Sequence, residues 1–399
     1  MAEHVRKIRR FDSEKKRVST PVLIIGFAIV AGIGYVAGAL NGQLPSSLTA
    51  LVNKDKLDLS SVQATYQAVQ GNFDGDIDEA KLVEGANRGL VDALGDQYTV
   101  FMSKKESTEF DASLTGNIGG GIGIELSLRD GLPTIVRVLR DNPAEKAGVA
   151  VSDIVTAVNG EDVKNKTTNE IVTKIRGDAG TTVKLTVFRG GEAKDFTLTR
   201  EVVNNPSVYG SVVDGVGVMT ISRFDDKTGG LARALATEFK TAGVKGVVLD
   251  LRGNGGGYVT AAQDVGGIWL DKQVVVTEKK GNAVVDELKT GGSPILNGVP
   301  TVVLINSSSA SASEIVAGAL RDHKAATLMG EKSFGKGSVQ KLVNLSEGTM
   351  LKVTVARWYT PSGLNISEKG IAPDTVVART VDDFNANRDP QLDAAKATF

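Results

Sequence analysis

The chain reads as an α/β protein, with a small strand-rich domain set between a helical N-terminal segment and the main core. Three observations predict this. From Val208 onward, strands of buried character (Val216 to Ile221, Val247 to Leu251, Thr301 to Ile305) alternate with helices (Gly229 to Ala242, Ser313 to His323). That is the pattern of parallel strands covered on both faces. Short alternating strands crowd the stretch from Gly116 to Val203, and apolar residues recur at helical spacing from Ser60 to about Phe110.

The first 21 residues are basic, with Arg6, Lys7, Arg9, Arg10, Lys15, Lys16 and Arg17. An uncharged apolar run, Val22 to Leu40, follows and approaches the ~20 residues a helix needs to cross a bilayer. The positive flank places residues from Asn41 onward outside the cytoplasm. The long basic region favours an uncleaved anchor over a signal peptide cut after Ala37-Gly38-Ala39. Residues 41–59 read as a polar spacer and 60–115 as two or three helices (Val62, Tyr66, Val69; then Leu82, Gly85, Ala86, Leu90, Ala93, Leu94). Residues 116–203 form the small domain and 204–399 the core.

Composition removes several function classes. A net charge of −1 gives no global footprint for nucleic acid. The absence of cysteine excludes disulfides, thiolate metal sites and a cysteine nucleophile. No cofactor or metal is expected, and the sequence is compatible with a monomer or an oligomer. Only two histidines occur, His4 and His323.

In the small domain, Gly119-Gly120-Gly121-Ile122-Gly123-Ile124 leads into an alternating strand. Asn142-Pro143-Ala144-Glu145-Lys146-Ala147-Gly148-Val149 and Asp153 to Gly160 (D-I-V-T-A-V-N-G) follow it. In this order the three signatures resemble a PDZ domain. Glycines let backbone N–H groups converge on a carboxylate. The resemblance implies a peptide C-terminus held at Gly121, Ile122, Gly123 and Ile124, with the chain added as a strand and the helix Thr168 to Arg176 as the opposite wall.

The richest chemistry lies in Asn306-Ser307-Ser308-Ser309-Ala310-Ser311-Ala312-Ser313-Glu314-Ile315-Val316, between a buried strand and a helix. A hydroxyl at such a turn stands at the C-terminal edge of the sheet, where α/β folds bind ligands. The N–H groups opening the helix can stabilise an oxyanion. Serine is also a favoured helix cap, and this segment alone serves both readings equally.

A nucleophilic serine needs a base. His4 lies across the membrane, and His323 lies ~18 Å down the same helix at 1.5 Å per residue. Lysine remains, since burial can lower its pKa until it is neutral. Lys336, in Gly330-Glu331-Lys332-Ser333-Phe334-Gly335-Lys336-Gly337-Ser338-Val339-Gln340, is flanked by glycines and Phe334. The stretch nearly spells a phosphate-binding loop. Yet Gly337 replaces the required hydroxyl residue, and Ser338 to Leu345 alternates as a strand where that loop would open a helix. A second glycine loop, Asp250-Leu251-Arg252-Gly253-Asn254-Gly255-Gly256-Gly257, closes the strand from Val247. It serves as a tight βα turn or as a source of a second oxyanion donor.

S-A-S-A-S-E-I-V (Ser309 to Val316), S-F-G-K-G-S-V-Q (Ser333 to Gln340) and L-D-L-R-G-N-G-G-G (Leu249 to Gly257), with Gly370 to Asp374 near the end, resemble the carboxyl-terminal processing (tail-specific) proteases. The resemblance covers nearly the whole chain beyond the spacer. It implies a crotonase-like α/β core, a mixed or parallel sheet with helices, with an inserted PDZ domain, Ser311 as nucleophile, Lys336 as general base and Gln340 positioning the lysine. It further implies an oxyanion hole from the amides of Ala312 and of Gly256 or Gly257. The implied activity is serine endopeptidase cleavage of proteins recognised by their C-terminal tails, outside the cytoplasm.

Overall fold

The computed structural model describes residues 57–399. The chain divides into two compact units, the first ending at Glu79. Within the first, the helix Ser60–Asn72 buries none of its residues, and Tyr66 donates to Glu79 at 2.6 Å. The basic segment, the apolar run 22–40 and most of the spacer lie outside the described residues. Among the described residues no helix is long and apolar enough to cross a membrane.

The second unit opens with the helices Glu79–Asp92 and Lys104–Thr115, which complete the three of the N-terminal stretch. A reciprocal pair of hydrogen bonds between Ser103 and Glu106 starts the latter, and Gly116, at φ 69°, stops it.

The small domain is an antiparallel sheet in the order Ile124–Arg129, Leu132–Val138, Ile154–Val158, Thr182–Arg189, Glu192–Thr199, with Glu161–Asp162 paired to the third strand. Ile122, Ile135, Val155, Ile171 and Leu185 fill its core. The glycine run does not pass directly into the strand expected after it. Gly120–Gly121 pairs instead with Glu201–Val202, and a new strand begins at Ile124. Gly123 sits at φ 78°, where a Cβ would lie 2.2 Å from that of Asn142, so the break requires glycine.

The core holds a six-stranded sheet in the order Val208–Val213, Val216–Ile221, Gly246–Asp250, Thr301–Ile305, Thr327–Gly330, Thr375–Val376. All its pairings are parallel except the first. Alternation along the strands splits the core in two. Leu249 and Val303 pack with the helices Thr228–Ala242, Val259–Gly266 and Ala312–Asp322. Val248, Val302 and Leu304 pack with Leu392 and Ala395 of the helix Pro390–Lys396.

Beside it stands a second sheet, wholly antiparallel, so the core as a whole is built of mixed strands. Val100–Met102, Met350–Tyr359, Val274–Lys280 and Ala283–Lys289 form it in that order, with Ser338–Asn344 also paired to Met350–Tyr359. Ser338–Asn344 alternates in the sequence as a strand does, whereas Ala283–Lys289 is almost wholly exposed, so no apolar alternation marks it.

Candidate active site

The two glycine- and serine-rich loops leave adjacent parallel strands at the same sheet edge, one after Asp250 and the other after Ile305. This is where carboxyl ends of parallel strands present loops to a ligand. Together with the second sheet they line a cleft of about 940 Å³ that contains Ser311, Gly256, Gly257, Lys336, Gln340 and Lys352.

The structure separates the serines of the 307–313 run. Ser309 is buried and donates to the carbonyl of Leu251 at 2.9 Å, while Ser313, also buried, donates to that of Asn254 at 2.9 Å. Both hydroxyls tie the serine turn to the glycine loop. Ser307 and Ser308 face solvent. Ser311 alone of the run lines the cleft, and its hydroxyl has no partner among the described residues beyond the first turn of its own helix. Its φ of 55° and ψ of −115° are unusual for a residue with a Cβ. Such strain is held by surrounding contacts and gathers at functional sites.

The contact that holds it comes from Glu314, which is fully buried. Its Oε2 accepts the N–H of Ser311 at 2.8 Å and that of Lys336 at 3.0 Å. Its Oε1 accepts the Ser333 hydroxyl at 2.6 Å and the Gly335 N–H at 2.7 Å. One carboxylate oxygen therefore bridges the main chains that carry Ser311 and Lys336. Burial pushes the Glu314 carboxyl above its ordinary range despite these four bonds. Sequence reasoning did not single it out. The signal was its place three residues after Ser311, the capping-box spacing.

Lys336 is held with its ammonium 5.7 Å from the centre of the Tyr98 ring, and its carbonyl accepts from the Trp358 indole at 2.8 Å. Its pKa is lowered by burial first and by the nearby charge of Lys352 second, while Glu314 opposes both. No hydrogen bond joins the Ser311 and Lys336 side chains among the described residues. Gln340 donates to Ser338 at 2.8 Å and to Thr354 at 3.4 Å rather than meeting Lys336. The strand Ser338–Asn344 follows the lysine loop, so a phosphate-binding loop, which would open a helix, does not form. His323 stands at the far end of the Ala312–Asp322 helix with Nε2 2.8 Å from the carbonyl of Val274, away from the cleft.

The amides of the glycine loop differ in their commitments. The N–H of Gly256 is committed to Asn254 Oδ1 at 2.9 Å, whereas those of Gly257 and Ala312 donate to nothing among the described residues. A Cβ on Gly256, which has φ 101°, would lie 2.8 Å from the carbonyl oxygen of Ala310 and from Ser311 Cβ. Gly256→Ala is therefore expected to displace the serine turn, lowering kcat about 100-fold or more with a smaller change in thermal stability. Steady-state kinetics beside a thermal melt check this.

A groove of about 370 Å³ lies between the strand Ile124–Arg129 and the helix Thr168–Ile175, lined by Gly121, Ile122, Gly123, Ile124 and Val172. The N–H groups of Ile122 and Gly123 donate to no partner among the described residues. The strand Ile124–Arg129 is a sheet edge, free to accept an added strand. Glu125, Arg137 and Asn205 line both this groove and the serine cleft, so the two are contiguous.

Comparison with known proteins decides the family. The profile of peptidase family S41 matches residues 215–377, and that of the PDZ domain matches 120–199. The profile of the N-terminal domain of the activating protease CtpB matches 36–106. A CtpA-like serine protease of Staphylococcus haemolyticus is 36% identical over 360 residues, 90% of this chain and 72% of that one.

The chain belongs to peptidase family S41.

A CtpA-like serine protease of Staphylococcus aureus strain MSSA476 is 33% identical over 89% of this chain and 71% of its own length. Among solved structures, the photosystem II D1 C-terminal processing protease aligns with a TM-score of 0.51 at 29% identity, covering 81% of this chain and 87% of that one. An S41-protease structure from Bacteroides fragilis shares the fold with a TM-score of 0.58 at 17% identity, over 77% of this chain and 87% of the other. This S41 chain is thus a serine peptidase of the C-terminal processing type, carrying a PDZ domain.

Proposed function

We propose that the chain is an endopeptidase with a Ser311–Lys336 dyad on a crotonase-like core, which captures the C-terminal tail of a protein substrate in its PDZ groove and cleaves the chain in the adjoining cleft. One observation carries the reading. Ser311, strained at a helix start with its side chain in the cleft, shares that cleft with a half-buried lysine of lowered pKa, while His323 stands at the far end of the helix. Neutral Lys336 takes the Ser311 proton, and the freed Oγ attacks the scissile carbonyl to form a tetrahedral oxyanion. The N–H groups of Ala312 and Gly257 stabilise that oxyanion. Collapse releases the amine product, which takes the proton from Lys336, and water then hydrolyses the acyl-enzyme by the same steps. Gln340 orients Lys336 once the side chains close around substrate, since catalytic hydrogen bonds often tighten only then. The basic segment, the apolar run 22–40 and the spacer support a membrane-anchored enzyme working outside the cytoplasm.

The test uses one peptide with a free C-terminus and its C-terminal amide. Binding to the Ser311→Ala protein is expected to weaken about tenfold or more with the amide, and cleavage by the active enzyme to fall with it. Equal affinity would remove carboxylate capture from the reading. A serine-directed fluorophosphonate probe is expected to label the protein at Ser311. If both probe and casein stay untouched with and without a bound tail, the chain is instead a tethered PDZ adaptor on an inactive scaffold.

A further inference from the structure

Ion pairing in the cleft is uneven. Arg137 meets Glu125 at 3.0 Å, Arg223 meets Asp225 at 2.9 Å, and Arg252 meets Asp250 and Asp389 at 2.6 and 2.7 Å. Lys336 and Lys352 have no carboxylate partner among the described residues, and the cleft's one acidic lining residue, Glu125, is taken by Arg137. The protease reading gives Lys336 its work as a base. Lys352 has none.

Lys352 is nonetheless carefully placed. It lies on the strand Met350–Tyr359, flanked by Val100 on one side and Leu342 on the other. It is two residues from Thr354, the cross-strand partner of Gln340, so Gln340, Leu342, Lys352 and Thr354 share one face. The ammonium stands 5.5 Å from the centre of the Phe110 ring, contributed by the helix Lys104–Thr115. Half-buried between Phe110 and Leu342, it is a desolvated cation with one side toward the cleft. Such a group gains most from a carboxylate that arrives with the ligand.

We infer that Lys352 is the specificity-determining residue of a substrate subsite for an acidic side chain, walled by Phe110 and Leu342 and set beside the scissile bond. The inference rests on the proposed protease function, in which the substrate's terminal carboxylate is already held by the PDZ groove. A secondary effect follows. Lys336 feels Lys352, Glu314 and the Tyr98 ring. A substrate carboxylate that neutralises Lys352 relieves the repulsion, so cleavage of an acidic substrate should set in at higher pH than that of its amide counterpart.

The experiment uses peptides with one common C-terminal tail, differing only by Glu, Gln or Lys at a single position scanned along the residues flanking the cleavage point. Binding is read on the full-length Ser311→Ala protein, and kcat/KM on the active enzyme. At one position, Glu is expected to bind about tenfold more tightly than Gln. The preference should persist in Lys352→Arg, fall to about one in Lys352→Met, and invert toward the Lys peptide in Lys352→Glu. Because affinity is read without turnover, failure of the dyad assignment leaves this result standing. A Glu-to-Gln ratio unchanged by Lys352→Met would overturn the subsite. So would small gains at every position that vanish together in raised salt, which is long-range steering. Should Lys352→Met fail to fold, the Lys352→Arg and Lys352→Gln proteins carry the same comparison.

Discussion

Replacing Ser311 with alanine is expected to abolish peptide cleavage, lowering kcat about 10⁴-fold or more, while affinity for a C-terminal peptide stays unchanged. Lys336→Ala should be equally severe, and the double variant no worse than either, because a nucleophile and its base act as a unit. The physical ground is that the Ser311 hydroxyl is a poor nucleophile until its proton leaves, and in the proposed dyad Lys336, a cleft lysine whose pKa burial lowers, takes that proton. The sign of the pH dependence follows. Lowering the lysine pKa lets the neutral amine appear at lower pH, so kcat/KM should rise with pH and level off above that depressed pKa. A rate profile from pH 5 to about 10 checks it. Lys336→Arg, charged throughout this range, should not recover activity. If Lys336→Ala kept both the rate and its pH rise, the base would have to be sought elsewhere.

Much of this arrangement was legible in the sequence. The strands Gly246–Asp250 and Thr301–Ile305 are marked by their apolar runs, and the loops that follow them are the glycine loop and the serine turn. Choosing among the serines was another matter. Ser309, Ser311 and Ser313 have the same two-residue spacing and small neighbours, and only the carbonyls of Leu251 and Asn254 show that the outer two are structural. Those acceptors come from a loop more than fifty residues away, which no local pattern can supply. The same holds for Gly256 and Gly257: side by side in sequence, they differ because Asn254 occupies one amide and leaves the other. Lys352 passed unnoticed because a lysine in a half-exposed strand usually points to solvent. Its orientation toward the cleft depends on pairing with Ser338–Asn344 and on Phe110 from a distant helix.

Glu314 was hidden for the opposite reason, since an acidic residue in the first turn of a helix is ordinary. Its burial makes it unusual. The pKa is raised above the carboxylate range, so the ionised form is a cost to folding. The cost is absent below the ordinary carboxylate pKa, grows as pH rises, and is complete above the raised one. A charge held against that cost needs a return, and the bridge from Ser311 to Lys336 through a single oxygen provides it.

Glu314→Ala would leave the N–H groups of Ser311, Gly335 and Lys336 and the hydroxyl of Ser333 without their acceptor in a buried space. We expect a loss of about 3 kcal/mol or more in stability and of about 1,000-fold in kcat. Glu314→Gln separates fold from function. Its carbonyl oxygen can take the Oε2 place and keep the bridge, but its NH₂ then faces the Gly335 N–H. Ser333 cannot turn freely to relieve this, because its hydroxyl also accepts from Ile371 at 2.7 Å. The Gln variant should therefore fold more stably than the Ala variant yet lose roughly 10- to 100-fold in kcat, with peptide affinity of the PDZ groove intact. Thermal melts, tail binding and kcat on the three proteins distinguish the outcomes. A Gln variant as active as the native enzyme would show that the charge is not needed for catalysis, and an Ala variant as active would show that the spacing of serine and lysine is fixed by other contacts.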